Sequence, residues 1–196
     1  MIDRKPKTKG GKAGAGRAGE QRQGAADASA AATTLPAAHG WSILMHPLLL
    51  EKIETLTAVV ARERAKEPHG APGPNAKLLG HLLDLMFDKI PQRPGDPIYR
   101  GGDALPAGWF RGKTGNGRYR LFYRFDSTAR LIVYAWVNDE QNLRTYGSRT
   151  DAYAVFRDMV ADGTPPKDWA ALRAAAEDTT VLARTKRVAT SRDAHR

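Results

Sequence analysis

Apolar positions recur along the chain with two different periods. After Pro47, a residue suited to the first turn of a helix, Leu49, Ile53, Leu56 and Val60 follow at the spacing of one helical face. They predict a helix over roughly residues 47 to 66. Pro68, Gly70, Pro72, Gly73 and Pro74 interrupt it, and Asn75 is placed to cap a second helix carrying Leu79, Leu82, Leu83, Met86 and Ile90 up to Pro91. From Pro91 to Gly108 the chain is irregular, with Ile98 and Tyr99 as a short strand. The period then shortens to two. Trp109 to Lys113, Arg118 to Phe125 and Arg130 to Val137 are β-branched and aromatic, separated by the turns Thr114-Gly115-Asn116-Gly117 and Asp126-Ser127-Thr128-Ala129. They predict an antiparallel meander. Thr150 or Asp151 caps a helix with Ala152, Val155, Phe156, Met159 and Val160 along one side, ended by Gly163; Asp168 caps a short helix with Trp169 and Leu172. The expected class is α+β: two N-terminal helices, a small antiparallel meander, and C-terminal helices packed on one face of it.

Composition narrows where that fold can lie. All aromatic residues fall between Trp41 and Trp169. Residues 1 to 39 are rich in Gly and Ala, with seven Lys or Arg against three acidic residues, and have little to bury; they read as a disordered basic arm. Residues 178 to 196 read as a flexible tail, which leaves a domain over 40 to 177. The absence of Cys excludes a disulfide scaffold and a thiol nucleophile. The His residues show no metal-ligand spacing, so no metal or other cofactor is expected. No apolar run is long enough for a membrane span, and the expected compartment is the cytoplasm. A net charge of +10 points to a polyanionic partner.

Two glycine motifs carry no site. Gly14, Gly16 and Gly19 spell a dinucleotide fingerprint without the strand before or the helix after it. Gly112-Lys113-Thr114 resembles the end of a phosphate loop, but Ala107 stands where the first glycine belongs. The alternation in the meander is more informative. Arg118, Arg120, Phe122 and Arg124 share one strand face, and pairing through the 114–117 turn brings Trp109, Arg111 and Lys113 beside them. Like charges side by side on a sheet repel unless an anion binds. A phosphate chain, with flat rings to stack unpaired bases, fits this face. An RNA strand supplies its own nucleophile, the 2′-hydroxyl, so cleavage needs a proton acceptor, a proton donor and cations around the phosphorane, but no metal. Arg111, Arg120, Lys113 and Arg144 can supply charge. Lys113, Tyr146, Glu140 and Asp139 are the proton-transfer candidates, and the residues alone do not choose among them. A module that only binds nucleic acid, or inhibits another target, needs the same cations without those groups.

The runs Gly117-Arg118-Tyr119-Arg120-Leu121-Phe122-Tyr123-Arg124, Trp136-Val137-Asn138-Asp139-Glu140, Leu143-Arg144-Thr145-Tyr146-Gly147 and Thr150-Asp151-Ala152-Tyr153 together resemble the YhaV family of toxins. The likeness runs from Gly40-Trp41 to Pro165-Pro166-Lys167-Asp168-Trp169. It implies a RelE-like fold and a metal-independent endoribonuclease that cuts messenger RNA, free or on the ribosome. It also implies a PrlF-type antitoxin partner, with promoter DNA bound by the toxin–antitoxin complex. The wider superfamily's Lys-x-Lys strand falls on Arg111-Gly112-Lys113, its Tyr-Arg on Tyr119-Arg120 and its late Tyr on Tyr146. Where ribosome-dependent relatives have Lys-Arg or His, this chain has Asp139-Glu140. Their general acid therefore does not transfer, and either Arg144 and Glu140 take over that chemistry or the mechanism differs. The resemblance and the strand-face pattern together give an expected catalytic set of Arg111, Lys113, Arg120, Tyr146, Glu140 and Arg144, with Arg118, Arg124, Trp109, Phe122 and Asp139 expected to contact RNA.

Overall fold

A computed structural model describes Met1, residues 34–143 and residues 148–192. Most of the N-terminal arm, and Arg144 and Tyr146, lie outside the described residues.

The three predicted strands form, but inside a larger sheet. Strands β1 (Ala37–Ala38), β2 (Trp41–Met45), β3 (Phe110–Thr114), β4 (Tyr119–Asp126) and β5 (Leu131–Val137) lie in the order β1-β2-β5-β4-β3. The sheet is mixed, because β2 runs parallel to β5 while the other pairs are antiparallel. The pattern of Trp41 to Met45 hid this strand: β2 is central and buried on both faces, so it shows an apolar run where a half-exposed strand would alternate. Ala37 and Ala38, assigned to the arm by composition, pair with β2 across a two-residue turn at His39 and Gly40, both with positive φ.

Helix α1 (Pro47–Lys66) matches its stripe, with Leu49, Leu50, Ile53 and Val60 buried. Helix α2 (Pro74–Asp84) starts after Gly73; Asn75 donates to the Glu63 carboxylate (2.6 Å) and does not cap. It continues through a π-helical turn (Leu85–Lys89) into a final α turn (Ile90–Gln92). In π geometry the Met86 carbonyl would accept from residue 91, a proline without an N–H; the Tyr134 hydroxyl donates to it instead (2.7 Å). Ile98 and Tyr99 lie in a 3-10 turn (Pro97–Tyr99) and not in a strand. Helices α3 (Ala152–Ala161) and α4 (Trp169–Glu177) begin at Asp151 and Asp168, whose carboxylates accept from the Tyr153 and Ala171 N–H groups.

Residues 178 to 191 do not form a tail. Asp178 caps helix α5 (Thr179–Ser191), which buries Val181, Thr185 and Val188. Arg184 clasps Glu54 of α1 through two hydrogen bonds (3.0 and 2.8 Å). Three buried residues at helical spacing were obscured by the polar residues around them.

Helices cover both sheet faces, so the expected bare cationic face is corrected. One core joins α1, α2 and α5 to Ile43, Leu121, Tyr123, Ile132 and Tyr134. The other joins α3 and α4 to Leu44, Phe122, Val133, Ala135 and Trp136. Ala135 and the adjacent Trp136 reach the same core because the β4–β5 register slips there, from Phe122↔Trp136 to Tyr123↔Tyr134. No helix among the described residues is long and apolar enough to cross a membrane.

Candidate functional site

The β3–β4 hairpin sets the geometry. Gly115, Asn116 and Gly117 all take positive φ, which closes the turn so that Lys113 pairs with Arg120 and Arg111 with Phe122. Arg111, Lys113 and Arg120 therefore share a face, as alternation predicted. Gly112 between them faces the other core, where a Cβ would come within 3.0 Å of Ile90 Cδ1 and 3.4 Å of Leu85 Cδ1. That glycine serves helix packing against an edge strand and not a phosphate loop.

What covers the arginine face is Tyr153, in the first turn of α3. Arg111 donates through Nε to the Tyr153 hydroxyl (2.8 Å) and through Nη1 to the Ile98 carbonyl. Arg120 lies over the Tyr153 ring, with its guanidinium carbon 5.9 Å from the centroid, and donates through Nη1 to the Gly117 and Tyr119 carbonyls. Both guanidinium groups are nearly enclosed, Arg111 at 8% exposure and Arg120 at 5%. Among the described residues neither meets a carboxylate, and Arg120 Nε–H has no acceptor. Burial pushes the Tyr153 phenol up, but the hydrogen bonds and charges of Arg120 and Arg111 outweigh it and hold the phenol below its ordinary value. Lys113 and Arg118 lie exposed beside this enclosed cluster.

Two buried arginines converge on one polarised phenol. A family model described as a toxin with endonuclease activity, of a toxin–antitoxin system, matches residues 43–177. The Ribonuclease toxin YhaV of Escherichia coli strain K12 is 39% identical over 146 residues, covering 72% of this chain and 95% of that protein. Toxin YhaV of Escherichia coli O157:H7 aligns to the same extent, and Toxin YhaV of strain O6:H1 is 39% identical over 145 residues. This chain belongs to the YhaV toxin family. No solved structure matches it.

The YhaV match contains the whole Arg111–Tyr153–Arg120 cluster and stops before α5. Several expected RNA contacts fall elsewhere. Phe122 is fully buried, stacked on Phe156 (4.1 Å between ring centroids) and Trp136 (5.5 Å), so no base can reach its face. Trp109 is buried edge-on against Phe156 (4.9 Å). Arg124 lies between Trp109 and Trp169, 5.7 and 5.4 Å from their ring centroids, and donates to the Lys167 carbonyl (2.7 Å). Its partners are parts of the fold. Asp139 pairs with Lys52 and caps a 3-10 turn (Glu140–Asn142), accepting from the Gln141 N–H (3.1 Å). Glu140 is exposed, and its charge acts on Tyr119, not on Tyr153. Two concavities, of about 440 and 480 Å³, lie around His39 and include none of the candidate residues.

Tyr153 was the residue missed. A signal was present: Tyr153, Phe156 and Val160 form one helical stripe, and a tyrosine on a buried stripe needs a partner for its hydroxyl. Tyr146, the tyrosine to which the motifs point, lies outside the described residues.

Proposed function

We propose that this YhaV-family chain is an endoribonuclease that cleaves single-stranded messenger RNA through the Arg111–Tyr153–Arg120 cluster, without a metal ion. The observation that carries the reading is a pair of enclosed guanidinium groups with no carboxylate beside them among the described residues. Buried charges are normally paired, and a phosphodiester is the missing anion.

In this mechanism the RNA 2′-oxygen attacks the adjacent phosphorus as its proton leaves to a base. The P–O2′ bond forms, the P–O5′ bond breaks, and the 5′-oxygen takes up a proton. The products are a 2′,3′-cyclic phosphate and a 5′-hydroxyl. Arg111 and Arg120 stabilise the extra negative charge of the phosphorane. Tyr153, whose phenol is held below its ordinary value by those same arginines, exchanges the proton. Lys113 and Arg118, exposed at the end of the hairpin, draw in the phosphate chain. Arg144 and Tyr146 keep their proposed contribution to charge and proton transfer, and Glu140 is the weakest candidate because its field falls on Tyr119.

The partner is a PrlF-type antitoxin whose acidic segment neutralises the same cations, and the complex of the two binds promoter DNA. The toxin acts in the cytoplasm on messages that are free or on the ribosome.

Purified protein is expected to cut single-stranded RNA in the presence of a chelator and to leave cyclic phosphate ends, while Arg120→Ala keeps the fold and loses cleavage. If neither free nor ribosome-bound message is cut while the protein still binds RNA, the chain is a binding module instead.

A further inference from the structure

Strand β5 ends at Val137, and the last residue of β4 that it pairs with is Leu121. Arg120 and Tyr119 therefore lie beyond the end of the β4–β5 ladder, where the other side of β4 is held only by Lys113 and Thr114 of β3. Edge positions of this kind fray, because an unpaired peptide exchanges its hydrogen bonds with water. Arg120 can least tolerate such fraying, since its guanidinium must stay enclosed against Tyr153.

Asn138, the next residue after β5, supplies what the ladder lacks. It is 2% exposed. Its Oδ1 accepts from the Arg120 N–H (2.5 Å), and its Nδ2 donates to the Arg118 carbonyl (3.2 Å) and to the Asn142 carbonyl (2.9 Å). Its own N–H donates to the Arg120 carbonyl (3.4 Å). One amide thus grips β4 on both sides of Tyr119 and also anchors the turn that follows β5. Only a group with an acceptor and two donors can do this. An aspartate of the same shape keeps the acceptor, loses both donors and turns a negative charge toward two carbonyl oxygens. Among the described residues its side chain bonds backbone groups and none of the side chains that would meet RNA.

We propose that Asn138 is a positioning residue for RNA cleavage: its side-chain amide extends the β4–β5 ladder and holds the Arg120 backbone so that the Arg120 guanidinium stays in the site. The proposal rests on the reading of Arg120 as a cleavage residue. It assigns a role to the Asn-Asp-Glu run distinct from proton transfer.

A double-mutant cycle between Asn138 and Arg120 tests it, with kcat and KM measured on a short single-stranded RNA and the thermal midpoint recorded for each variant. Asn138→Asp and Asn138→Ala are expected to lower kcat by about tenfold or more with KM within about twofold. In an Arg120→Lys background, where no guanidinium remains to be held, the same substitutions are expected to change kcat by less than about twofold. An equal loss in both backgrounds would overturn the proposal, because Asn138 would then act independently of Arg120. So would a wild-type rate for Asn138→Asp. If Asn138→Ala does not fold, the near-isosteric Asn138→Asp and the smaller Asn138→Ser carry the cycle. Arg120→Lys at full rate overturns the reading of the site itself, and this proposal with it, and is thereby told apart from a failure of Asn138 alone.

Discussion

Of the buried tyrosines among the described residues, three on the two sides of this sheet, Tyr123, Tyr134 and Tyr153, are treated in opposite ways. On the side packed by α1 and α2, Tyr134 donates its hydroxyl to the Met86 carbonyl and Tyr123 donates to the Pro94 carbonyl (2.6 Å). Both have neutral acceptors, and desolvation pushes both phenols well above the ordinary value. On the side packed by α3, Tyr153 accepts from a guanidinium, and its phenol is held below that value although it too is buried. Burial alone keeps a phenol neutral and inert; burial between two cations readies it to give up its proton. The difference separates packing from chemistry more sharply than exposure does, since all three rings are buried. Perturbation by a specific charge partner, and not perturbation as such, is what sets the proposed site apart.

The largest effect should come from removing one oxygen on each side. Tyr153→Phe is expected to slow RNA cleavage by about 10²- to 10⁴-fold, the usual range for a lost proton-transfer group, with the fold preserved. Tyr134→Phe should leave cleavage within about twofold, yet destabilise the protein by about 1–3 kcal/mol, because the Met86 carbonyl is left buried without a donor. Paired measurements of rate and chemical denaturation check both. Equal rate losses in the two variants would dissolve the contrast.

Alkaline stability sharpens the same comparison with a smaller effect. Tyr123 and Tyr134 hold their protons more tightly folded than unfolded, so their contribution is intact below the unfolded value of 10.0 and is lost as pH rises through their raised folded values. Tyr153 has the opposite sign: its contribution is present above the unfolded value and is lost as pH falls through the depressed folded one. Thermal midpoints taken between about pH 8 and 11 should therefore fall toward the alkaline end. Tyr134→Phe should flatten that fall and Tyr153→Phe should steepen it. A flattening by Tyr153→Phe would show that its phenol is not held by cations.

Most of the fold was legible where a segment has one buried side and one exposed side. Helix α1 follows its periodicity because one side of it faces water; the β3–β4 hairpin follows its own to within a residue or so because arginines alternate with apolar residues, although helices cover both its faces. Strand β2 left no alternation because both its faces are buried, and α5 left little because only Val181, Thr185 and Val188 are inside. For the site, alternation put Arg111, Lys113 and Arg120 on one face, but could not say whether that face was bare. The covering helix changes the meaning of every residue there. It encloses two arginines, removes Phe122 and Trp109 from any contact with bases, and brings in Tyr153 from 42 positions away.

Arg124 tests how far along β4 that covered face remains functional. It lies on the same side of the strand as Arg120, and strand alternation alone would give the two equal roles. Its surroundings differ. Among the described residues Arg120 has a donor without an acceptor, whereas Arg124 is stacked between two tryptophans and bonded to the Lys167 carbonyl, which secures the segment leading into α4. Burial pulls the Arg124 guanidinium value down, with Asp168 opposing it, the signature of a cation embedded in packing. A lysine keeps the charge but has no planar group to stack between the rings. Arg124→Lys is therefore expected to cost about 1 kcal/mol of stability and to leave cleavage unchanged, the smallest effect of the set. Rate and unfolding midpoint together decide it. A variant that stays as stable as the parent but cuts RNA poorly would extend the substrate path along the whole strand and place Arg124 with Arg120.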